Sequence, residues 1–127
     1  MIIDAKKIIF CHIDKTGGSS ITVAIVPNFN IESEENPIPN FMGKHDTMKQ
    51  LINQRSNSDE YFKFSFVRNP YARAVSKYFH HVKLKHQRFD PPEANAHKMT
   101  FDEWVRQGGL SKMKTQYNYI YHDNKNL

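Results

Sequence analysis

The chain has 127 residues, of which 39% are hydrophobic and 13% aromatic. This apolar content suffices for one domain with a core and excludes a disordered polar chain, so we expect a single domain over residues 1–127. Its 18 Lys and Arg against 13 Asp and Glu give a net charge of +5. That excess favours an anionic partner (a nucleotide, a nucleic acid, an acidic polysaccharide or a membrane surface) without choosing among them. Because Cys11 is the only cysteine, an internal disulfide and a multi-cysteine metal site are excluded.

The first half of the chain predicts one buried strand and two helical segments. The continuous apolar run Lys7–Ile13, rich in β-branched residues, is typical of a strand buried on both faces in a parallel sheet. Apolar residues over Ile21–Pro27 predict helical turns that end near the proline. The Pro- and Asn-containing stretch 27–43 predicts irregular structure or a lid. Helical spacing returns in Met48–Ile52, with Asp46 as a candidate N-cap.

The second half predicts another strand and two more helices. Tyr61–Val67 is a strand by composition, and Pro70 suits the first position of a helix over about Tyr71–Lys85. One helical face would carry the larger apolar side chains, Tyr71, Val75, Tyr78, Phe79 and Val82. Thr100 and Glu103 form a capping box for a short helix that stops at Gly108. Two strand–loop–helix units predict an α/β domain with a parallel sheet, although two strands alone make a poor sheet. Either the tail adds strands or the chain stops before its fold is complete.

The first strand leads into a glycine-containing loop with the features of a phosphate site. The loop consists of Lys15, Thr16, Gly17, Gly18, Ser19 and Ser20. Glycines let the backbone approach an anion, a helix N-terminus favours negative charge, and the lysine and hydroxyl side chains add donors. The alternative is a Gly-Gly turn with a solvated Lys and a Ser N-cap. The Walker A order of an ATPase or kinase is absent, because the lysine here precedes the glycines.

A second candidate phosphate site follows the second strand. Arg68 lies at the end of that strand, which in an open parallel sheet is the edge where ligands bind. Ser76 comes about two helical turns later, so both side chains could converge on one phosphate if the loop folds back. The alternatives are a surface ion pair for Arg68 and a solvated or back-bonding hydroxyl for Ser76.

Taken together, the two loops resemble a known enzyme family. The segment Cys11–Ser20 (CHIDKTGGSS) resembles the 5′-phosphosulfate loop of sulfotransferases that use PAPS, 3′-phosphoadenosine-5′-phosphosulfate. It is most similar to the carbohydrate branch of heparan and chondroitin type, the sulfotransferase family 2-like branch. The segment Phe64–Tyr78 (FSFVRNPYARAVSKY) resembles that family's 3′-phosphate motif. The similarity is dense over 8–26 and 61–79 and looser to about residue 120.

This resemblance implies a P-loop-like three-layer α/β domain that binds PAPS and its product PAP and transfers sulfate to a hydroxyl, with a carbohydrate as the expected acceptor. The chemistry of the transfer requires no metal. It implies that residues 15–20 hold the phosphosulfate, that Arg68 and Ser76 hold the 3′-phosphate, and that Lys15 neutralises charge on the leaving phosphate. Asp14 stands where the family usually has Pro. A carboxylate there would repel the phosphosulfate unless it is turned away or paired, for example with Lys44 or Arg73.

Histidine is the usual base near neutral pH, and relatives that resemble this chain place a catalytic histidine where His45 stands, directly before a helix. We therefore assign His45 as the base, which Asp46 could orient; the alternative is an exposed loop histidine. His12, inside the apolar strand, is interpreted as structural. The other histidines near the predicted basic helix, His80, His81 and His86, are interpreted as part of its solvated face.

Two other functions stay open at the level of sequence. One is a catalytically idle PAP(S)-binding domain or a fragment. The other is a basic nucleic-acid module that stacks bases on Tyr61, Phe62, Phe64 and Phe66, although a core strand is the favoured interpretation of these aromatics. The N-terminus lacks a basic region followed by a long apolar stretch, so we expect neither signal peptide nor anchor. A cytoplasmic location is expected, with the Golgi lumen only for an excised domain.

Overall fold

A computed structural model of the chain describes residues 1–28, 45–84 and 93–121. The described residues contain three strands and five α-helices: β1 Ile2–Ile3, β2 Ile8–Cys11, β3 Phe62–Ser65, α1 Gly18–Asn28, α2 Met48–Ile52, α3 Pro70–Leu84, α4 Phe101–Arg106 and α5 Gln116–Ile120. The chain divides into two compact units. The first comprises Met1–Val67 and Thr115–Leu127, and the second comprises Arg68–Lys114.

The first unit contains a mixed three-stranded sheet with the order β1-β2-β3. Strands β2 and β3 are parallel, as the sequence predicted, and Phe10 lies opposite Phe64. Strand β1 was not predicted and pairs antiparallel with β2, so the sheet is not purely parallel. With only two residues, β1 is too short to show an alternating pattern. It is joined to β2 by a turn in which Lys7 has a positive φ of 50°.

The core of the first unit covers the sheet on the side of Ile9 and Cys11. Both side chains are fully buried, and they pack with Leu51 of α2 and Tyr119 of α5. Phe10, on the opposite face of β2, is also fully buried. The prediction of a strand buried on both faces is therefore confirmed. The described part of the tail, considered as a source of further strands, instead supplies helix α5 and part of this core.

Two helix boundaries in the first unit differ from the sequence-based expectation. Helix α1 begins at Gly18, earlier than predicted, and it ends at Asn28, near Pro27 as expected. Helix α2 is capped by Thr47, not by Asp46. The Thr47 side chain accepts from the Gln50 backbone N–H, and Gln50 in turn accepts from the Thr47 backbone N–H. This reciprocal capping box satisfies two donors and thereby outweighs a single aspartate cap.

The aromatic residues of β3 are less buried than a core strand would require. Tyr61, just before the strand, is buried and donates a hydrogen bond to the Asp4 carboxylate. Phe62 is 68% exposed and Phe66 is 47% exposed, whereas Phe64 stacks on Phe10 with ring centroids 5.0 Å apart. The core-strand interpretation is therefore correct for Tyr61 and wrong for Phe62 and Phe66. An aromatic composition indicates a strand but does not determine which face of it is covered.

The second unit packs α3 against α4 and a 3-10 helix at Glu93–Lys98. Its core is formed by Tyr78, Ala96 and Trp104. The apolar face predicted for α3 is only partly buried, because Tyr71 is 82% exposed and Phe79 is 59% exposed. The side chains of α3 that are buried are Arg73, Ala74, Tyr78 and His81. Helical periodicity shows that a helix has an apolar stripe, but it does not show which of two neighbouring stripes packs against another element.

The predicted ends of α3 and α4 agree with the structure. Pro70 is the first residue of α3. Thr100 and Glu103 form the predicted capping box of α4, and Gly108 has the positive φ of 85° expected at a helix stop. Most of the predicted lid at 27–43 lies outside the described residues, as do Lys44 and His86. No helix among the described residues is long and apolar enough to cross a membrane.

Candidate functional site

The glycine loop forms a tight turn between β2 and α1. Lys15 and Gly17 both have positive φ, of 64° and 90°. This conformation is ordinary for glycine and uncommon for lysine, so the turn holds Lys15 in a sparsely populated backbone region. Thr16 Oγ1 donates to the Ile13 carbonyl at 2.9 Å, which ties the turn to the end of β2. Helix α1 then begins at Gly18, whose N–H is among the first-turn donors that have no partner within a helix.

The start of α1 rests on the ring of His12. A Cβ atom added to Gly18 would lie 1.8 Å from His12 Cδ2, so no other residue fits without a shift of the ring or the backbone. Gly18 is buried, and its carbonyl accepts from Thr22 Oγ1 at 2.9 Å. The two glycines thus have different reasons to be present. Gly17 supplies a positive φ in open space, and Gly18 supplies a close approach to a buried ring.

His45 lies against the same ring and against the turn. Its Nδ1 is 3.1 Å from the His12 carbonyl oxygen, and the two histidine rings meet edge to face with centroids 4.7 Å apart. Its Nε2 is 3.9 Å from Asp14 Oδ1. The structure therefore brings the predicted base to the residue that directly precedes Lys15. Asp46 contributes its backbone carbonyl to a contact with Cys11 Sγ at 3.4 Å.

Burial makes His12 a neutral part of this cluster. The loss of solvent lowers the pKa of its imidazole from 6.5 to about 4, and positive charge at His45 and at the N-terminus acts in the same direction. His12 Nδ1 is buried without a hydrogen-bond partner among the described residues. A neutral, buried ring contributes to packing rather than to charge, which agrees with the interpretation of His12 as structural. Burial likewise raises the pKa of the Cys11 thiol to about 11, so that this group behaves as a small apolar side chain.

The second predicted phosphate site lies in the second unit. Arg68 is exposed in the segment between β3 and α3, and Ser76 is half-buried on α3. Between them, Asn69 caps the helix, because its Oδ1 accepts from the backbone N–H groups of Tyr71 and Ala72 at 3.0 and 3.2 Å. The convergence of Arg68 and Ser76 on one phosphate stays a prediction.

Sequence analysis missed the contact between Asp14 and His45 and misplaced His81. Asp14 and His45 stand in separate segments of the chain, and no local pattern links them. His81 is 4% exposed and faces the Trp104 ring, with centroids 6.0 Å apart, so it does not belong to a solvated basic face. Arg73, one proposed partner for Asp14, lies in the second unit, where its Nη1 donates to the Lys114 carbonyl at 2.8 Å.

Comparison with known proteins addresses the resemblance directly. The model of the sulfotransferase family matches residues 1–125. Carbohydrate sulfotransferase 10 of Danio rerio is 34% identical over 135 residues, an alignment that covers 96% of this chain and 32% of that protein. The chain thus spans about a third of the length of this curated relative, and no solved structure is similar enough to count as a match. With the family model matching almost the whole chain, the resemblance inferred from the two loops is confirmed, and this chain belongs to the sulfotransferase family.

Proposed function

We propose that this chain is part of a PAPS-dependent sulfotransferase that transfers a sulfuryl group to a hydroxyl of a carbohydrate acceptor. The observation that carries the proposal is the family match over residues 1–125, which includes both phosphate motifs. The geometry of the first motif supports it. A turn with two residues of positive φ leads into the N-terminus of α1, an arrangement whose N–H groups and helix dipole suit an anion.

In the proposed reaction, the acceptor oxygen forms a bond to sulfur while the bond between sulfur and the 5′-phosphate oxygen breaks. The backbone and hydroxyl groups of residues 16–20 bind the phosphosulfate, and Lys15 offsets the negative charge that develops on the leaving phosphate. Arg68 and Ser76 bind the 3′-phosphate. His45 takes the proton of the acceptor hydroxyl. These roles follow the family motif residue by residue and are proposals for this chain.

Isothermal titration calorimetry with PAP tests donor binding. We expect the chain to bind PAP more tightly than ATP or a short oligonucleotide. Arg68→Ala should weaken PAP binding roughly 30-fold, because a charge-assisted contact to phosphate contributes about 2 kcal/mol. The matched control is Arg106→Ala, which removes an exposed arginine that pairs with Asp102 in α4. Binding of the oligonucleotide without binding of PAP would contradict the proposal and favour the nucleic-acid alternative.

A sulfate-transfer assay over a panel of carbohydrate acceptors then separates an enzyme from an idle PAP-binding domain. His45→Ala should lower turnover by about 10²- to 10⁴-fold, the usual contribution of a general base, while PAP remains bound. His97→Ala, at an exposed position of the second unit, is the control. Unchanged turnover in His45→Ala removes His45 from the mechanism. PAP binding without transfer to any acceptor supports the idle domain.

A further inference from the structure

Every hydrogen-bond, ion-pair and ring contact that the described residues make with His45 comes from the segment at the end of β2. The carbonyl and ring of His12 lie on one side, and the carboxylate of Asp14 lies near Nε2. The Asp14 side chain is 15% exposed and that of His45 is 32% exposed, so both are partly withdrawn from water and this pair is screened less than a surface ion pair. Asp14 is thus placed to influence His45 electrostatically.

The contact with His12 determines which nitrogen of His45 carries a proton. A backbone carbonyl can only accept a hydrogen bond, so at 3.1 Å the Nδ1 of His45 must be the donor. In the neutral ring, the lone pair is then on Nε2. This is the nitrogen that faces Asp14 Oδ1 at 3.9 Å. Once Nε2 gains a proton, the imidazolium has a carboxylate as its neighbour, and the Nδ1–H bond to His12 is retained.

We propose that Asp14 is a positioning residue for His45: the His12 carbonyl selects Nε2 as the proton-accepting atom, and the Asp14 carboxylate stabilises the imidazolium that forms there. The catalytic part of this proposal rests on the proposed function, in which the proton that moves to Nε2 comes from the acceptor hydroxyl as the oxygen–sulfur bond forms. The pairing in the free protein does not depend on that function.

The charges around His45 are consistent with this role. Among the described residues, the titratable side chains in contact with its ring are His12 and Asp14, and Asp46 follows it in the chain. Burial keeps His12 neutral, because its pKa is lowered to about 4, so His12 does not compete for the Asp14 charge.

Nitrogen-15 NMR of the imidazole rings tests the pairing without donor or acceptor. The full chain is labelled, and the His45 signals are assigned by their loss in His45→Gln. We expect neutral His45 to carry its proton on Nδ1. At one fixed pH, Asp14→Asn should lower the ratio of doubly to singly protonated His45 roughly fivefold, because the imidazolium loses its carboxylate neighbour. Asp14→Glu should restore part of this ratio, and the matched control Asp46→Asn should change it less.

Two NMR results would overturn the proposal: a neutral His45 protonated on Nε2, or an Asp14→Asn ratio that does not differ from that of Asp46→Asn. The first is measured on the unsubstituted chain, so it decides the question even where Asp14→Asn fails to fold. In a chain that transfers sulfate, Asp14→Asn should lower kcat about fivefold without weakening PAP binding. An unchanged kcat would overturn the positioning role. A chain that binds PAP but transfers no sulfate supports the idle domain instead, and the NMR result still stands.

Discussion

The two candidate phosphate motifs of this chain are built in different ways. In the first, the loop backbone rests on a buried ring, and Gly18, His12 and Thr22 are all part of the packed interior. In the second, Arg68 and Asn69 are exposed, and Asn69 caps a helix whose buried side chains lie further along. The difference implies that a change at Gly18 alters stability and anion binding together, whereas a change at Arg68 can alter anion binding alone.

The largest effect on stability is expected at Gly18. In Gly18→Ala the new methyl group would overlap the His12 ring, and moving a buried ring should lower the free energy of unfolding by about 3 kcal/mol. Gly17→Ala meets no atom within 4 Å and has only the unfavourable positive φ, which should cost about 1 kcal/mol. Urea unfolding followed by circular dichroism compares the two variants. Equal losses for both would mean that the ring does not support the loop.

The next effect is the dependence of stability on pH, which comes chiefly from His12, the ring that supports the first motif. The pKa of the His12 imidazole is about 4 in the folded chain, whereas that of an ordinary histidine is 6.5. Between these two values the unfolded chain therefore binds more protons than the folded chain. Stability is therefore full above about pH 6.5 and falls as the pH decreases toward 4. Asp4 contributes in a separate window, since Arg55 and Tyr61 lower the pKa of its carboxyl and its contribution is lost only below 3.8.

Urea midpoints measured between about pH 7.5 and 4.5 check this expectation, since they span the window in which His12 gains its proton on unfolding. His12→Leu removes the titrating ring and should flatten the dependence of stability on pH, whereas His97→Leu at an exposed position should leave it unchanged. An equally steep dependence in His12→Leu would show that another group is responsible.

A smaller effect is expected at the cap of α3 in the second motif. Asn69→Ala leaves the N–H groups of Tyr71 and Ala72 without their side-chain acceptor, which should cost about 1 kcal/mol. Asn69→Asp retains an acceptor at this position and should lose little. Thermal unfolding measures both variants. A loss in Asn69→Ala that exceeds the loss in Gly18→Ala would reverse the contrast between the motifs.

The smallest effect on stability is expected at Arg68. Because its side chain is exposed, Arg68→Ala should change the free energy of unfolding by no more than about 0.5 kcal/mol, like Arg106→Ala. The same variant is expected to weaken PAP binding strongly. Urea unfolding and calorimetry on one preparation measure the two quantities together. A large loss of stability in Arg68→Ala would mean that the second motif, too, is part of the packed structure.

Local features of the sequence determined much of this protein. The buried strand β2, the parallel partner β3, Pro70 at the start of α3 and the capping box of α4 each follow from neighbouring residues and were predicted. The two loops also identified the family, because residue order and spacing carry that information. The need for glycine at the Gly-Gly turn was predictable only in general terms, since glycine indicates either a positive φ or a close contact.

Only the tertiary structure decided which groups meet across long separations in the chain. Asp14 contacts His45, Cys11 donates to the Tyr119 carbonyl from 108 positions away, and Tyr119 enters the core from a tail with no recognised pattern. The buried stripe of α3 was decided in the same way. Periodicity is a property of one segment, whereas burial and ion pairing depend on what a second segment places opposite it. The sequence by itself therefore indicated phosphate-binding loops, and the packing around His12 showed what supports the first of them.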